Sequence, residues 1–188
     1  MELLVTLAIV GIVATMATPN MITMMERNQK SSALNNVLGM LSMARSEAVT
    51  RQLTISACAS TDQASCDTNN WEEGWLLFVD DGTGTGGVAD DGNLNGTEEL
   101  LRIGGAASGD VTIRLLADIT DQGAISFDDE GLAVDPGTIV VCVDGDVASA
   151  SAAILNVSGQ PRLAVDTGAD GTVEDSTGNT NSDNVTCD

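Results

Sequence analysis

This sequence of 188 residues contains no histidine and no tyrosine, and it has few basic residues. Without histidine, a zinc site would take its ligands mainly from the four cysteines. Cys58 and Cys66, the two that lie nearest each other, are too far apart to form a Cys-x2-Cys pair. The sequence therefore argues against zinc chemistry.

The shortage of basic residues also bears on nucleic acid as a partner. Seven basic residues face 28 acidic ones, which gives a net charge of -21. Phosphate binding needs clustered Lys and Arg, so we do not expect a nucleic-acid partner. The plain interpretation is an acidic, solvated surface, which favours solubility in salty or extracellular settings.

Catalytic constellations are missing as well. There is no histidine base, and no Ser or Cys stands beside another obvious base. Nucleophilic catalysis requires such a pair, so we predict that the chain is not an enzyme.

The four cysteines are expected to form two disulfides, because an even count in an exported chain is typical of disulfide bonding. Four cysteines allow three connectivities, and the sequence does not decide among them. We favour Cys58 with Cys66 and Cys142 with Cys187, since each pair joins neighbours in chain order.

The amino-terminal segment is apolar from Leu3 to Ala17. This run is shorter than the ~20 residues that span a bilayer. A signal peptide would begin with positive charge, whereas the only charge before this run is Glu2. We therefore keep the run as part of the mature protein.

Helical spacing continues beyond the run. Pro19 should kink or interrupt the helix, after which apolar residues recur mostly at spacings of three and four up to Ala48. A helix from Glu2 to about Arg51 would be ~75 Å long. Its first half is apolar on all sides and must enter a membrane or a bundle of helices, while its second half can pack on a head.

From Leu53 onward, short apolar runs alternate with turn signals such as Asp-Gly and Asn-Gly, which predicts antiparallel β structure. The tail 166–188 has few apolar residues, and we expect it to be irregular unless Cys187 ties it down. The predicted strands are Leu53–Cys58, Trp75–Asp80, Leu100–Ile103, Val111–Leu115, Ala124–Phe127, Thr138–Val143, Ala153–Val157 and Arg162–Val165.

A Gly-rich acidic loop at 80–99 contains the spacing Asp91-x-Asn93-x-Asn95-Gly96. Alternating oxygen ligands before a turning glycine resemble the start of a calcium loop. The closing bidentate Glu is missing, because Arg102 stands in its place. Calcium is therefore one interpretation and a plain acidic turn is the other; we expect no other cofactor.

The segment Glu2-Leu3-Leu4-Val5-Thr6-Leu7-Ala8-Ile9-Val10-Gly11-Ile12 resembles the amino terminus of type IV pilins and pseudopilins. Later motifs resemble the GspH/FimT branch of that group, and the resemblance extends over roughly residues 2 to 165. These motifs are Ala44-Arg45-Ser46-Glu47-Ala48 with Arg51, Trp71, Gly74-Trp75, Phe78-Val79-Asp80, Leu100-Leu101-Arg102 and Ser158-Gly159.

The resemblance implies a prepilin that is cut just after a glycine, leaving an N-methylated residue. In this family a glutamate, here Glu2, is thought to pair with the amine terminus of a neighbouring subunit. A carboxylate favoured by the helix dipole is the alternative. Gly11 and Pro19 match positions where such helices loosen, although a tolerated glycine and a generic kink are equally consistent. The sequence is expected to begin a few residues inside the mature terminus.

Together these patterns predict an α+β, pilin-like fold with a polymerisation helix at 1–52 and a β-rich head at 53–188. The expected function is that of a structural subunit of a type IV pilus-like extracellular filament. The alternative is a minor pilin or type II secretion pseudopilin that primes assembly or binds a ligand such as DNA at the tip. The expected partners are copies of itself or other pilins, with residence in the inner membrane before assembly. A membrane-anchored monomer is a third possibility.

Overall fold

A computed structural model describes residues 2–116, 123–169, 171–175 and 185–187; within the first helix it describes the backbone alone at positions 2, 8, 9 and 11–20. That helix, α1, runs over Glu2–Arg51, so the predicted extent is confirmed. At 1.5 Å per residue it is ~75 Å long. The helix is continuous through position 19, so of the kink or interruption predicted at Pro19 the interruption is not observed.

The end of α1 has a local cause. Gln52 has a φ of 57°, and its N–H donates a 2.8 Å hydrogen bond to the carbonyl oxygen of Ala48. A left-handed residue directly after the last turn is a common way to end a helix. Arg51 in the last turn adds a positive charge at the carboxyl end, where the helix dipole favours it.

All eight predicted strands are present; Ala124–Phe127 has the predicted bounds, and the other seven differ by one or two residues at one or both ends. The last two lie one or two residues earlier than predicted, so Val157 and Val165 fall outside them and are exposed. The predicted ends of these two strands were too late because Val157 and Val165 are apolar and were counted as strand residues. The strands are β1 Ile55–Ala59, β2 Trp75–Val79, β3 Leu100–Gly104, β4 Val111–Leu116, β5 Ala124–Phe127, β6 Gly137–Val143, β7 Ser151–Leu155 and β8 Pro161–Leu163.

Within the described residues the strands form two four-stranded antiparallel sheets. The first has the order β3-β2-β1-β5 and the second the order β4-β6-β7-β8. The second half of α1 packs against strands of both sheets. This arrangement confirms the predicted α+β fold.

The main core lies between α1 and the inner faces of both sheets. Alternate strand residues, such as Ile55 and Ala57 of β1 and Ile139 and Val141 of β6, point into it. The helix contributes one stripe with a spacing of three or four residues: Ala33, Val37, Met40, Leu41, Ala44 and Ala48.

The outer faces of the central strands are buried too. On the first sheet, Cys58, Leu76 and Phe78 are covered by the loops that carry Cys66 and Leu94. On the second sheet, Val140 and Cys142 pack with Val185 and Cys187 of the tail; residues 176–184 lie outside the described part of the chain.

Both predicted disulfides are present, Cys58–Cys66 and Cys142–Cys187, with Cα–Cα distances of 5.6 and 5.9 Å. Each bridge joins the outward side of a central strand to the segment that covers it. The Cys142–Cys187 bridge thus ties down the end of the tail, as expected.

Candidate functional site

Among the described residues, nine exposed large apolar side chains lie on the first half of α1. Its apolar residues are between 52% and 73% exposed. At 100° per residue they point to several sides of the helix. They are Leu3, Leu4, Val5, Leu7, Val10, Met21, Ile22, Met24 and Met25. We call this set the bare apolar surface.

Nine large apolar side chains exposed on one half of a helix are more than the singly scattered ones that are normal on a soluble monomer. Soluble monomers rarely expose contiguous apolar patches beyond a few hundred Å². Burying one Leu or Val side chain is worth about 1.5–3 kcal/mol, so covering this surface would release considerable free energy. The surface is therefore suited to association with other apolar helices or with lipid.

The residues predicted to act in assembly all belong to this half of the helix. The backbone of Glu2, Gly11 and Pro19 is helical. The side-chain surroundings of Glu2 and Pro19 lie outside the described residues. Their roles in filament assembly stay predictions.

The sequence interpretation missed a group of methionines. Met21, Met24 and Met25 are exposed around the helix, before the half of α1 that packs on the head. Methionine side chains are flexible and adapt to irregular apolar partners. The signal was present in the segment Met21–Met25, which begins two residues after Pro19 and in which three of five residues are methionine.

Among the helices that the structure describes, none is both long enough and apolar enough to cross a membrane.

A hydrogen bond from Arg45 attaches the second half of α1 to the head. The Nε–H of Arg45 donates to the carbonyl oxygen of Gly131 at 3.0 Å. A Cβ on Gly159, whose φ is +72°, would lie 2.1 Å from that same oxygen. Arg45, Gly131 and Gly159 thus connect α1, the β5–β6 loop and the β7–β8 turn. This contact gives Arg45 and Gly159, which belong to the motifs noted in the sequence, a structural role.

The acidic loop at 80–99 is anchored by a buried carboxylate. Asp80 is 1% exposed and accepts hydrogen bonds from the Ser56 hydroxyl at 2.7 Å and from the Gly92 N–H at 2.8 Å. Glu98, also buried, accepts from the N–H groups of Gly82 and Asn95. Burial raises the pKa of the Glu98 carboxyl, and those two N–H groups oppose the rise. Sequence reasoning did not identify this anchoring, although an acid directly after a buried strand was a signal.

The predicted calcium ligands form hydrogen bonds with the same loop. The two carboxylate oxygens of Asp91 accept from the N–H of Asn93 at 2.9 Å and from the side-chain amide of Asn95 at 2.8 Å. The amide oxygen of Asn95 accepts from the Val88 N–H at 2.8 Å. No group of three or more His, Cys, Asp or Glu side chains within the described ranges is placed to hold a metal ion. Calcium binding here stays a prediction.

Basic side chains on the described surface are few, and the two that share a cleft, Arg27 and Lys30, share it with Glu26, Asp144 and Asp146. Arg162 is exposed on β8, and Gln160 and Pro161 line a groove beside Arg45 and Glu130. One cation beside an acid is far from the clustered Lys and Arg that phosphate binding requires.

Comparison with known proteins identifies a family and a fold. The model of the family described as type II transport protein GspH matches residues 33–161. No protein of curated function matches the sequence.

Solved structures of pilin-type proteins resemble the chain. Crystal structures of the type IV minor pilin FimU of Pseudomonas aeruginosa in two space groups give TM-scores of 0.55 and 0.51 at 24% and 21% identity. They cover 73% and 71% of this chain and 90% of each FimU chain. The minor pseudopilin EpsH from the type 2 secretion system of Vibrio cholerae gives a TM-score of 0.45 at 14% identity, covering 71% of this chain and 94% of its own.

Proposed function

This chain belongs to the GspH family of type II transport proteins, and from that premise we propose that it is a structural subunit of a type IV pilus-like extracellular filament. Family membership confirms the expectation that the chain is not an enzyme. The FimU fold, that of a type IV minor pilin, supports a filament rather than another part of a transport machine.

The observation that carries the proposal is the bare apolar surface of α1. The second half of the same helix buries its apolar stripe in the head, whereas the first half has no comparable cover among the described residues. Packing the first halves of many subunits side by side would bury those side chains and leave the acidic heads outside.

The assembly residues fit this arrangement. In a bundle of apolar helices the Glu2 carboxylate needs a partner, because an unpaired charge in an apolar setting is costly. The amine terminus of a neighbouring subunit would supply that partner. Before assembly, the same apolar helix would hold the subunit in the inner membrane, and Gly11 and Pro19 would let the helix adjust on leaving it.

The test compares two valines of similar exposure. Val10 on α1 is 64% exposed and Val165 on the head is 61% exposed. We expect Val10→Asp to remove the chain from sheared native filaments, because it places a charge within the helix bundle. Val165→Asp should leave its incorporation within about twofold of the unmodified chain, since a surface substitution changes stability little.

Equal incorporation of both variants would contradict the proposal. Glu2→Ala adds a second test, since loss of the carboxylate should impair assembly without altering the head. A membrane-anchored monomer predicts no filaments and no assembly effect of Glu2→Ala.

A second candidate is a minor subunit that primes assembly or caps the filament tip. The FimU and EpsH names describe a minor pilin and a minor pseudopilin, and the FimU likeness favours this role. Abundance separates the two candidates: a dominant band in purified filaments indicates the main structural subunit, and a scarce, tip-located chain indicates a minor one. A ligand such as DNA at the tip has little support from a chain with a net charge of -21.

A further inference from the structure

The head has a strong excess of exposed negative charge. Asp129, Glu130 and Asp135 are exposed in the loop before β6, and Asp144 and Asp146 are exposed directly after it. These two groups lie at opposite ends of β6, so the charge is distributed over the head. Exposed acids also occur in the loops over the first sheet, at Asp62, Asp67, Asp81, Asp90 and Glu99.

Much of the limited positive charge is engaged within the chain. Arg51 forms ion pairs with Glu47 at 2.8 Å and Glu99 at 2.9 Å. Arg114 pairs with Glu72 at 2.6 Å. These cations are therefore poorly placed to meet the acids of a neighbouring subunit.

Other basic groups are held close to the head. The ammonium group of Lys30 donates to the carbonyl oxygen of Ser149, and Lys30 and Arg27 share a cleft with Asp144 and Asp146. No ion pair reaches Asp129, Glu130 or Asp135 from any residue that the structure describes. Exposed basic side chains on the strands, Arg102 on β3 and Arg162 on β8, are few beside the exposed acids, so direct salt bridges are a poor source of counter-charge.

We propose that the heads of this protein pack against neighbouring copies only when free cations screen their acidic surfaces. This inference rests on the proposed filament function. A net charge far from zero keeps proteins apart through self-repulsion. Screening shortens the range of that repulsion, from about 30 Å at 0.01 M salt to about 3 Å at 1 M.

The test measures release of the chain from filaments. Sheared native filaments are dialysed against NaCl at concentrations from about 0.01 M to about 1 M, then sedimented, and the chain is quantified in the supernatant. We expect the released fraction to fall at least about fivefold over this range. MgCl2 should give the same protection at a lower concentration, because a divalent cation neutralises two carboxylates.

A matched pair of variants tests the source of the effect. The triple variant Asp129→Asn, Glu130→Gln, Asp135→Asn removes three charges and should shift the half-release point to lower salt. The triple variant Asp129→Glu, Glu130→Asp, Asp135→Glu keeps the charge and should leave that point unchanged. Retained thermal unfolding of both variants establishes that the heads are folded.

Two results overturn the inference. A released fraction that stays constant or rises with salt shows that the heads meet without repulsion, or through direct ion pairs with a less acidic neighbour. The same half-release point for both triple variants also overturns it. In either case the chain still sediments with filaments, so the proposed function stands; absence of the chain from the pellet at every salt concentration overturns both.

Discussion

The two halves of α1 belong to one continuous helix but have opposite surroundings. In the second half, Leu41 and Ala44 are fully buried against the sheets. In the first half, Leu4 and Leu7 are more than 60% exposed. The backbone geometry is the same, so the difference comes from what each half contacts. The buried half determines the stability of the head, and the exposed half is available for assembly.

The largest expected effect separates the two halves directly. Leu41→Ala should lower the free energy of unfolding of the head by about 3–5 kcal/mol, because it leaves a cavity in the core. Leu7→Ala, at a position that is 61% exposed, should change it by less than about 0.5 kcal/mol. The measurement is denaturant unfolding of the full chain in mild detergent, followed by the fluorescence of Trp71 and Trp75. Similar losses for both variants would show that the first half also supports the head.

The next effect concerns the tail that covers the second sheet. Replacing Cys142 and Cys187 by Ser should lower head stability by about 2–4 kcal/mol. The Cys58–Cys66 bridge closes a shorter loop, eight positions against 45, so its removal should cost less. Unchanged thermal unfolding after loss of Cys142–Cys187 would mean that the tail adds nothing to the head.

A smaller effect, of opposite sign, is expected within the buried half of α1. Gly39 lies inside the helix, and a Cβ there would meet no atom within 4 Å. Gly39→Ala should therefore raise head stability by about 0.5–1 kcal/mol, because alanine loses less conformational freedom on forming a helix. A loss of stability in the same unfolding assay would contradict this assessment of the space around Gly39.

The smallest expected effect is a pH dependence of the stability of the head. Hydrogen bonds from the Ala64 N–H and from the Ser65 hydroxyl and N–H lower the pKa of Asp62 from 3.8 to about 2. A lowered folded-state pKa stabilises the head above about pH 4, and that contribution is lost as the pH falls through about 2. Asp62→Asn should flatten the fall in melting temperature across that interval.

The Asp62 prediction has a control of opposite sign. The pKa of Glu98 is raised above its ordinary value of 4.5, so its contribution is present below that pH and is lost as the pH rises through the folded-state pKa. Glu98→Gln should therefore not remove the acid-side fall that is attributed to Asp62. An identical melting profile for Asp62→Asn and the unmodified chain between pH 4 and pH 2 would disprove the assignment.

Much of the architecture could be predicted from the sequence because its signals are local. The spacing of apolar residues gave α1 its correct bounds at Glu2 and Arg51, and turn residues separated eight strands. Strand ends were less well predicted: Val157 is apolar but follows the turn residue Asn156, so it lies outside β7. The predicted assembly residues depend on contacts between chains, which the sequence alone does not describe.

By itself, the sequence determined the helix, the strands and the acidity, and it favoured one of three cysteine pairings without deciding among them. Only the tertiary structure decided which faces are covered. Asp80 is buried because loop 80–99 folds back over the first sheet, and Cys142 is buried because the end of the tail lies on the second. Periodicity shows that a segment has an apolar face, but residues far away in sequence decide whether that face is covered. For the first half of α1, the structure describes no such cover.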